Sequence, residues 1–348
     1  MNKHSRLTLS LIVAVAIALT FFKVPLASSQ GVTVIAAQVS GDLPVTDPNS
    51  ELWQKGTAVE APLSAQNVAR PMSLDTRVKS VTARALHNES QIAILLEWAD
   101  DTQSDQMVRV QDFRDAVAVQ FPLAEGQPFF CMGQQGGNVN IWHWKADWQA
   151  DITARKDMET LYPNMYVDQY PFTSVTEPNL AAPGDYTDPN YLPALASGNL
   201  FASATRASPV EDLIAGGFGS LTAQPADGQN VQGFGRWANG KWHVVFSRDL
   251  ASKEADDVTF APGKVYSMAF AAWDGANGER NGQKSTSQWV SLQVEGAAPV
   301  QPPRAQPTAT PNSIEGIFWA VIPMALMTLL ILGLAGAVFL ISKLPDKK

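Results

Sequence analysis

Cysteine is almost missing from these 348 residues, Cys131 being the only one. The chain therefore has no internal disulfide, and it lacks the Cys-x-x-Cys-His signal by which a haem is attached covalently. Histidine is nearly as scarce. One of the four, His4, lies in a leader segment, and none has zinc spacing or accompanies a nucleophile elbow, so a hydrolytic enzyme has little support. Positive charge is also in deficit. The formal net charge is −8, and loss of Lys3, Arg6 and Lys23 with a leader takes it to −11, which does not suit a nucleic-acid partner.

The two ends are unlike the middle. Residues 1–29 combine a basic start, an apolar run over 7–22 and the small residues Ala27, Ser28 and Ser29, the pattern of a signal peptide. Lys23, directly after the run, leaves a retained anchor open. Residues 316–342 carry no charge and are long enough to cross a hydrocarbon core of ~30 Å as a helix. Lys343, Lys347 and Lys348 in the 343–348 tail orient that end to the cytoplasm. The expected arrangement is a single-pass cell-membrane protein whose globular part stands on the outer face, held off by a Pro-rich stalk at 296–315.

Between these ends, 30–77 reads as a polar lead-in with Leu52 and Trp53 as its bulky cluster, and structure is expected to start after it. Strands are predicted at 81–85 and 91–98, with Ile92, Ile94, Leu96 and Trp98 on one face, and at 115–122. Asn239-Gly240 separates 233–237 from 241–248 as a hairpin. Strands at 264–273 and 289–294 complete the set. Residues 151–232 form a long, irregular insertion, with a short helix predicted at 210–216 and stopped by Gly216 and Gly217. These elements predict an all-β, antiparallel sandwich over 78–295.

Soft sulfur and aromatic rings are concentrated in one place. Phe130-Cys131-Met132-Gly133 leads through Gly136 and Gly137 into Trp142-His143-Trp144. A thioether beside indole rings suits a flat apolar cofactor, although the same residue types also serve as core filler. Asp100, Asp101 and Asp105 lack the spacing of a calcium loop and read as solvated turn residues.

Four motifs taken together point further: Phe-Cys-Met-Gly at 130–133, Ile-Trp-His-Trp-Lys-Ala-Asp at 141–147, Gly-Arg-Trp-x-x-Gly-x-Trp-x-Val-Val-Phe-x-Arg at 235–248, and Ala-x-Trp-Asp-Gly at 271–275 running on to Gly-x-Lys-Ser at 282–285. In this combination the chain resembles the haem-binding gamma subunits of ethylbenzene dehydrogenase, dimethylsulfide dehydrogenase, selenate reductase and chlorate reductase, and more distantly nitrite oxidoreductase. The resemblance implies a β-sandwich with one non-covalent haem b, its iron held by the Met132 thioether and the Lys284 amine. A lysine ligates only as the neutral amine, and a thioether favours reduced iron. With both axial positions filled, the implied role is electron transfer rather than catalysis. The implied partners are a molybdenum catalytic subunit, an iron-sulfur subunit and a cytochrome or quinone pathway, with 151–232 as a candidate docking segment. The stalk and span depart from the soluble members of that family.

Other residues compete for roles at such a site. Lys145, Lys264 and His143 are rival ligands, though His143 and His243 alternate away from neighbouring core residues and read as surface or supporting groups. Phe130, Trp142, Trp144 and Trp273 are candidates for the cofactor wall. Arg236, Arg248 and Arg280 are candidates for its propionates. The alternative class is a family 9 carbohydrate-binding module, which would use exposed tryptophans and need neither Met132 nor Lys284.

Overall fold

Strand alternation decides the architecture. In β4 (Gln91–Ala99), Ile92, Ile94, Leu96 and Trp98 all enter one core cluster, as their spacing predicts. The intervening Ala93 and Leu95 are buried as well, against Val39, Leu43 and Trp53. β4 is thus a central strand covered on both faces. β3 (Ser80–His87) pairs with it in antiparallel register, Ala85 opposite Ile94, and the Asn88 side chain closes the turn by accepting from the Ser90 and Gln91 amides.

The computed structural model describes residues 32–124, 132–165, 199–203 and 206–297. The leader, the stalk beyond Ala297 and the expected span lie outside these residues, as do Phe130, Cys131 and much of the 151–232 insertion. Among the described residues, no helix is long and apolar enough to cross a membrane.

Strands dominate, and they form two layers. One sheet runs β9 (Gln232–Ala238), β10 (Lys241–Asp249), β4, β3, then β1 (Thr33–Gln38) and β13 (Val290–Val294). The other runs β8 (Thr222–Ala223), β7 (Val210–Ala215), β6 (Val139–Lys145), β5 (Ala116–Pro122), β11 (Val265–Trp273) and β12 (Ser285–Ser287). Two strands turn the corner between them. The first half of β11 pairs with β13 and its second half with β5 and β12. β2 (Val59–Ala65) does the same, pairing first with β3 and then with β12. Most pairings are antiparallel, but β1 runs parallel to both β13 and β3. The described residues form an all-β sandwich with few helices.

The β9–β10 hairpin closes as its sequence predicts. Asn239 and Gly240 take φ of 54° and 73°, the left-handed pair that a tight two-residue hairpin requires.

Two expectations are corrected. The 30–77 lead-in is structured: it supplies β1 and β2, and Trp53 packs on Leu86, Leu95 and Val245. In β2 the exposed alternates Glu60, Pro62 and Ser64 concealed a period of two, and β1 is a short run between polar segments. The helix predicted at 210–216 is strand β7. β6 offers it a full edge, with Leu213 opposite Ile141, and a helix of six residues has little stability of its own.

Candidate functional site

Within the second sheet, alternate residues point to opposite sides. Val117, Val119 and Phe121 of β5, Trp142 and Trp144 of β6, and Met268, Phe270 and Ala272 of β11 face the inter-sheet core. The other set faces outward: Ala116, Ala118 and Gln120; Ile141 and His143; Ala269, Ala271 and Trp273. All of these line a cavity of about 750 Å³ on the outer side of the sheet, a size within the range for cofactor pockets. Ala116, Ala118, Ala269 and Ala271 occupy its middle, and β5 and β11 are paired with Ala118 opposite Ala271. Four methyl groups on adjacent strands leave open apolar space above the sheet for a ring system.

Two loops carry the groups that stand over these alanines. Met132 has φ of 68°, a left-handed conformation that costs a non-glycine residue about 1–2 kcal/mol. Its neighbours hold it there: the Met132 carbonyl accepts from the Gly217 amide at 2.8 Å, and Gln134 and Gly137 exchange backbone bonds. Gly133 cannot be replaced without strain, because a Cβ there would stand 2.7 Å from the Ala215 oxygen. On the other side Lys284 immediately precedes β12, anchored where its carbonyl accepts from the Gln66 amide at 2.9 Å. Lys284 is 7% exposed. Its Nζ lies 3.5 Å from Met132 Sδ and 5.0 Å from the centre of the Trp273 ring.

The rest of the lining sets polarity. Arg70, Arg114 and Arg280 border the cavity, with Glu279 as a counter-charge. Arg114 is paired with Asp147 at 2.6 Å, and Arg280 stacks over Phe113 at 4.5 Å. The His143 imidazole stacks on Trp273. Burial, helped by the nearby charges of Lys145, Arg114 and Lys284, holds His143 well below the usual imidazole pKa, so it is neutral.

Of the residues singled out from sequence, Met132, Lys284, Trp273 and Arg280 meet at this cavity. Phe130 lies outside the described residues. Trp142 and Trp144 do not line it. Both are fully buried between the sheets, Trp142 bonded through Nε1 to Asn140 at 3.0 Å and Trp144 packed edge-on against Trp242 at 4.9 Å. The alternation argument for Trp142-His143-Trp144 holds, but the cavity lies on the histidine's side. Arg236 is exposed on edge strand β9 of the other sheet. Arg248 is buried beside Asp257 and Trp142, away from the cavity. Lys145 is committed to a buried ion pair with Glu211, and Lys264 is exposed just before β11. His243 stands 2.9 Å from Glu97 on the first sheet. The alanine floor was missed, and its signal was the Ala-x-Ala spacing in both β5 and β11, small residues on one face and large ones on the other.

These features define a β-sandwich with a cation-rimmed cavity, at which a thioether and an amine converge over apolar alanines. The chain belongs to the ethylbenzene dehydrogenase family, whose pattern matches residues 50–285. A protein of Haloferax mediterranei named for a respiratory nitrate reductase heme subunit is 25% identical over 94% of each chain. The gamma subunit of chlorate reductase from Ideonella dechloratans is 26% identical over 76% of this chain and 85% of its own. Among solved structures, a family 9 carbohydrate-binding module from Caldicellulosiruptor kristjanssonii in complex with cellotriose aligns at a TM-score of 0.35 and 8% identity, covering 81% of this chain and 99% of its own.

Proposed function

We propose that the cavity holds a non-covalent haem b, with Met132 and Lys284 as the iron's axial ligands, and that the chain is an electron-transfer subunit rather than a catalyst on its own. The observation that carries this reading is the 3.5 Å approach of Lys284 Nζ to Met132 Sδ across 152 residues of sequence. The donor set fits the group: a soft neutral thioether and a hard amine converge, small alanines leave apolar space for a ring, and arginines at the rim suit acidic side groups. Among the arginines named from sequence, Arg280 is the one at the rim; Arg70 and Arg114 join it.

When bound there, the haem supplies one-electron transfer. The protein's own residues do the rest. Met132 and Lys284 would supply a thioether and an amine to the iron, Ala118 and Ala271 leave room for the ring, and Trp273 lines the cavity beside Lys284. The names of the relatives support a subunit of an oxidoreductase complex; we further propose a molybdenum catalytic subunit and an iron-sulfur subunit as its partners, with a respiratory cytochrome or quinone at the far end of the relay. We place the domain on the outer face of the cell membrane, tethered by residues 316–342 after removal of residues 1–29.

An absorption spectrum of the full chain, oxidised and dithionite-reduced, tests the site. Sharp reduced bands from an acid-extractable haem are expected, altered in both Met132→Ala and Lys284→Ala while the far-ultraviolet dichroism stays unchanged. A folded protein that stays colourless after haem is added, or two variants with the wild-type spectrum, would sink this assignment.

A further inference from the structure

Beside the cavity, at one end of the sandwich, three carboxylates converge from three strands. Asp100 follows the end of β4, Asp115 precedes β5 and Asp274 follows β11, and one oxygen from each lies within 4.8 Å of the others. Asp100 and Asp115 are 5% and 0% exposed, and Asp274 is half-buried. Asp100 is therefore not the solvated turn residue that its sequence context suggests.

The donors around the cluster do not satisfy it. Asp115 is complete: Oδ1 accepts from the Gly275 amide at 2.8 Å, and Oδ2 from the Ser104 amide at 2.7 Å and the Trp242 indole at 2.9 Å. Asp274 Oδ1 accepts from the Asn277 amide at 3.0 Å. Asp100 Oδ1 accepts from both the amide and the hydroxyl of Thr102 at 3.0 Å. Asp100 Oδ2, sealed from solvent, has no hydrogen bond of normal geometry; the Trp98 indole N–H, itself without a partner of normal geometry, is the donor beside it. A buried carboxylate oxygen with no well-formed hydrogen bond, beside two further carboxylates, calls for either a proton or a cation.

We propose that Asp100, Asp115 and Asp274 bind one hard divalent cation of the calcium class, which clamps the ends of β4, β5 and β11 together. An all-oxygen donor set with three negative charges suits Ca²⁺, which accepts six to eight oxygens and leaves room for waters on the half-exposed Asp274 side. Without a cation, burial and mutual repulsion push Asp100 up to about 6 and Asp115 up to about 7, so ionising both is costly. A bound cation removes that cost. The same clamp would reach the cofactor cavity, because the segments leaving these aspartates carry Phe113, Arg114, Trp273, Glu279 and Arg280 of its lining.

The competing arrangement is a proton shared between carboxyl groups, and the test separates the two. The full chain, stripped with EDTA, is titrated with Tb³⁺ and then with Ca²⁺, following terbium emission sensitised by the adjacent Trp98 and Trp242, and Tm is measured with and without Ca²⁺. Sensitised emission displaced by Ca²⁺ is expected, together with a Ca²⁺-dependent rise in Tm, as for any ligand that binds only the folded state. Asp274→Asn should raise the Ca²⁺ midpoint at least tenfold, and Asp101→Asn, at an exposed neighbour, should leave it unchanged. Absence of both emission and Tm shift in the unaltered chain would overturn the proposal. So would an unchanged midpoint in Asp274→Asn, or a loss of binding in Asp101→Asn as large as in Asp274→Asn. If Asp274→Asn does not fold, the displacement titration of the unaltered chain against Asp101→Asn still decides it.

Discussion

The Trp273 indole stacks on the His143 imidazole, with ring centres 4.8 Å apart and planes at 28°. The contact joins the end of β11 to the middle of β6 across the intervening β5. Trp273 also donates through Nε1 to the Asn281 carbonyl at 3.1 Å, which ties down the loop that ends at Lys284. One side chain thus braces the cavity wall and positions the loop that carries the proposed ligand. Trp273→Phe keeps most of the ring contact and removes that hydrogen bond. We expect a loss of about 0.5–1.5 kcal/mol in urea unfolding, and a haem spectrum more sensitive to competing imidazole than the wild type's. Identical stability and spectrum would mean that the bond does not hold the loop.

The alanine floor makes a steric prediction. Ala271 faces the cavity from β11, opposite Ala118 of β5, so Ala271→Phe projects a ring into the space reserved for the cofactor. Haem uptake should fall at least tenfold, while the thermal midpoint of the haem-free protein stays within a few degrees. Full haem uptake by this variant would place the cofactor elsewhere.

Asp212 gives a prediction in pH. It lies in the inter-sheet polar network, where Asn140 donates to it at 2.6 Å and Gln224 at 3.1 Å, and burial with the neighbouring Asp257 charge pushes it up to about 7. The folded protein therefore holds a proton there that the unfolded chain has already released above pH ~4. Stability from this group is fully present below the unfolded value and is lost as pH rises towards 7, by up to about 4 kcal/mol at 1.36 kcal/mol per unit. Asp212→Asn should flatten the fall in urea midpoint between pH 5 and pH 7.5. An unchanged slope would mean that Asp212 does not set the pH dependence.

Lys145 and Glu211 form a buried ion pair between β6 and β7, with Lys145 Nζ 3.9 Å from the centre of the Trp148 ring. Lys145 is 1% exposed, so removal of its partner strands a charge. Glu211→Ala should cost about 3–5 kcal/mol in chemical denaturation. A loss under 1 kcal/mol would show that Lys145 is already neutral in the fold, as burial favours by lowering it to about 8.

Much of the sheet could be read locally. β4, β5, β10 and β11 carry period-two patterns, and Asn239-Gly240 specifies its own turn, because these signals depend on neighbours in the chain. β1 and β2 were hidden because they are short and lie among polar, Pro-containing loops, and β7 looked helical because the mixed run Val-Glu-Asp-Leu-Ile-Ala fits either period until β6 offers it an edge. Met132 and Lys284 could be named only through four motifs taken together; local chemistry distinguishes neither from an ordinary methionine or loop lysine. Composition and order also fixed the exclusions: one cysteine forbids disulfide stapling, and the charge deficit does not suit nucleic acid.

Tertiary structure alone decided which side of the second sheet holds the cavity. Alternation puts His143 opposite Trp142 and Trp144 but does not say which of those faces meets the other sheet. The larger aromatic pair took the core, where its burial is worth most, and left the outer face to histidine and alanines. The same packing brought Met132 to Lys284, and Asp100 to Asp115 and Asp274. Those meetings arise from strands that switch sheets, and no pattern along the chain records them.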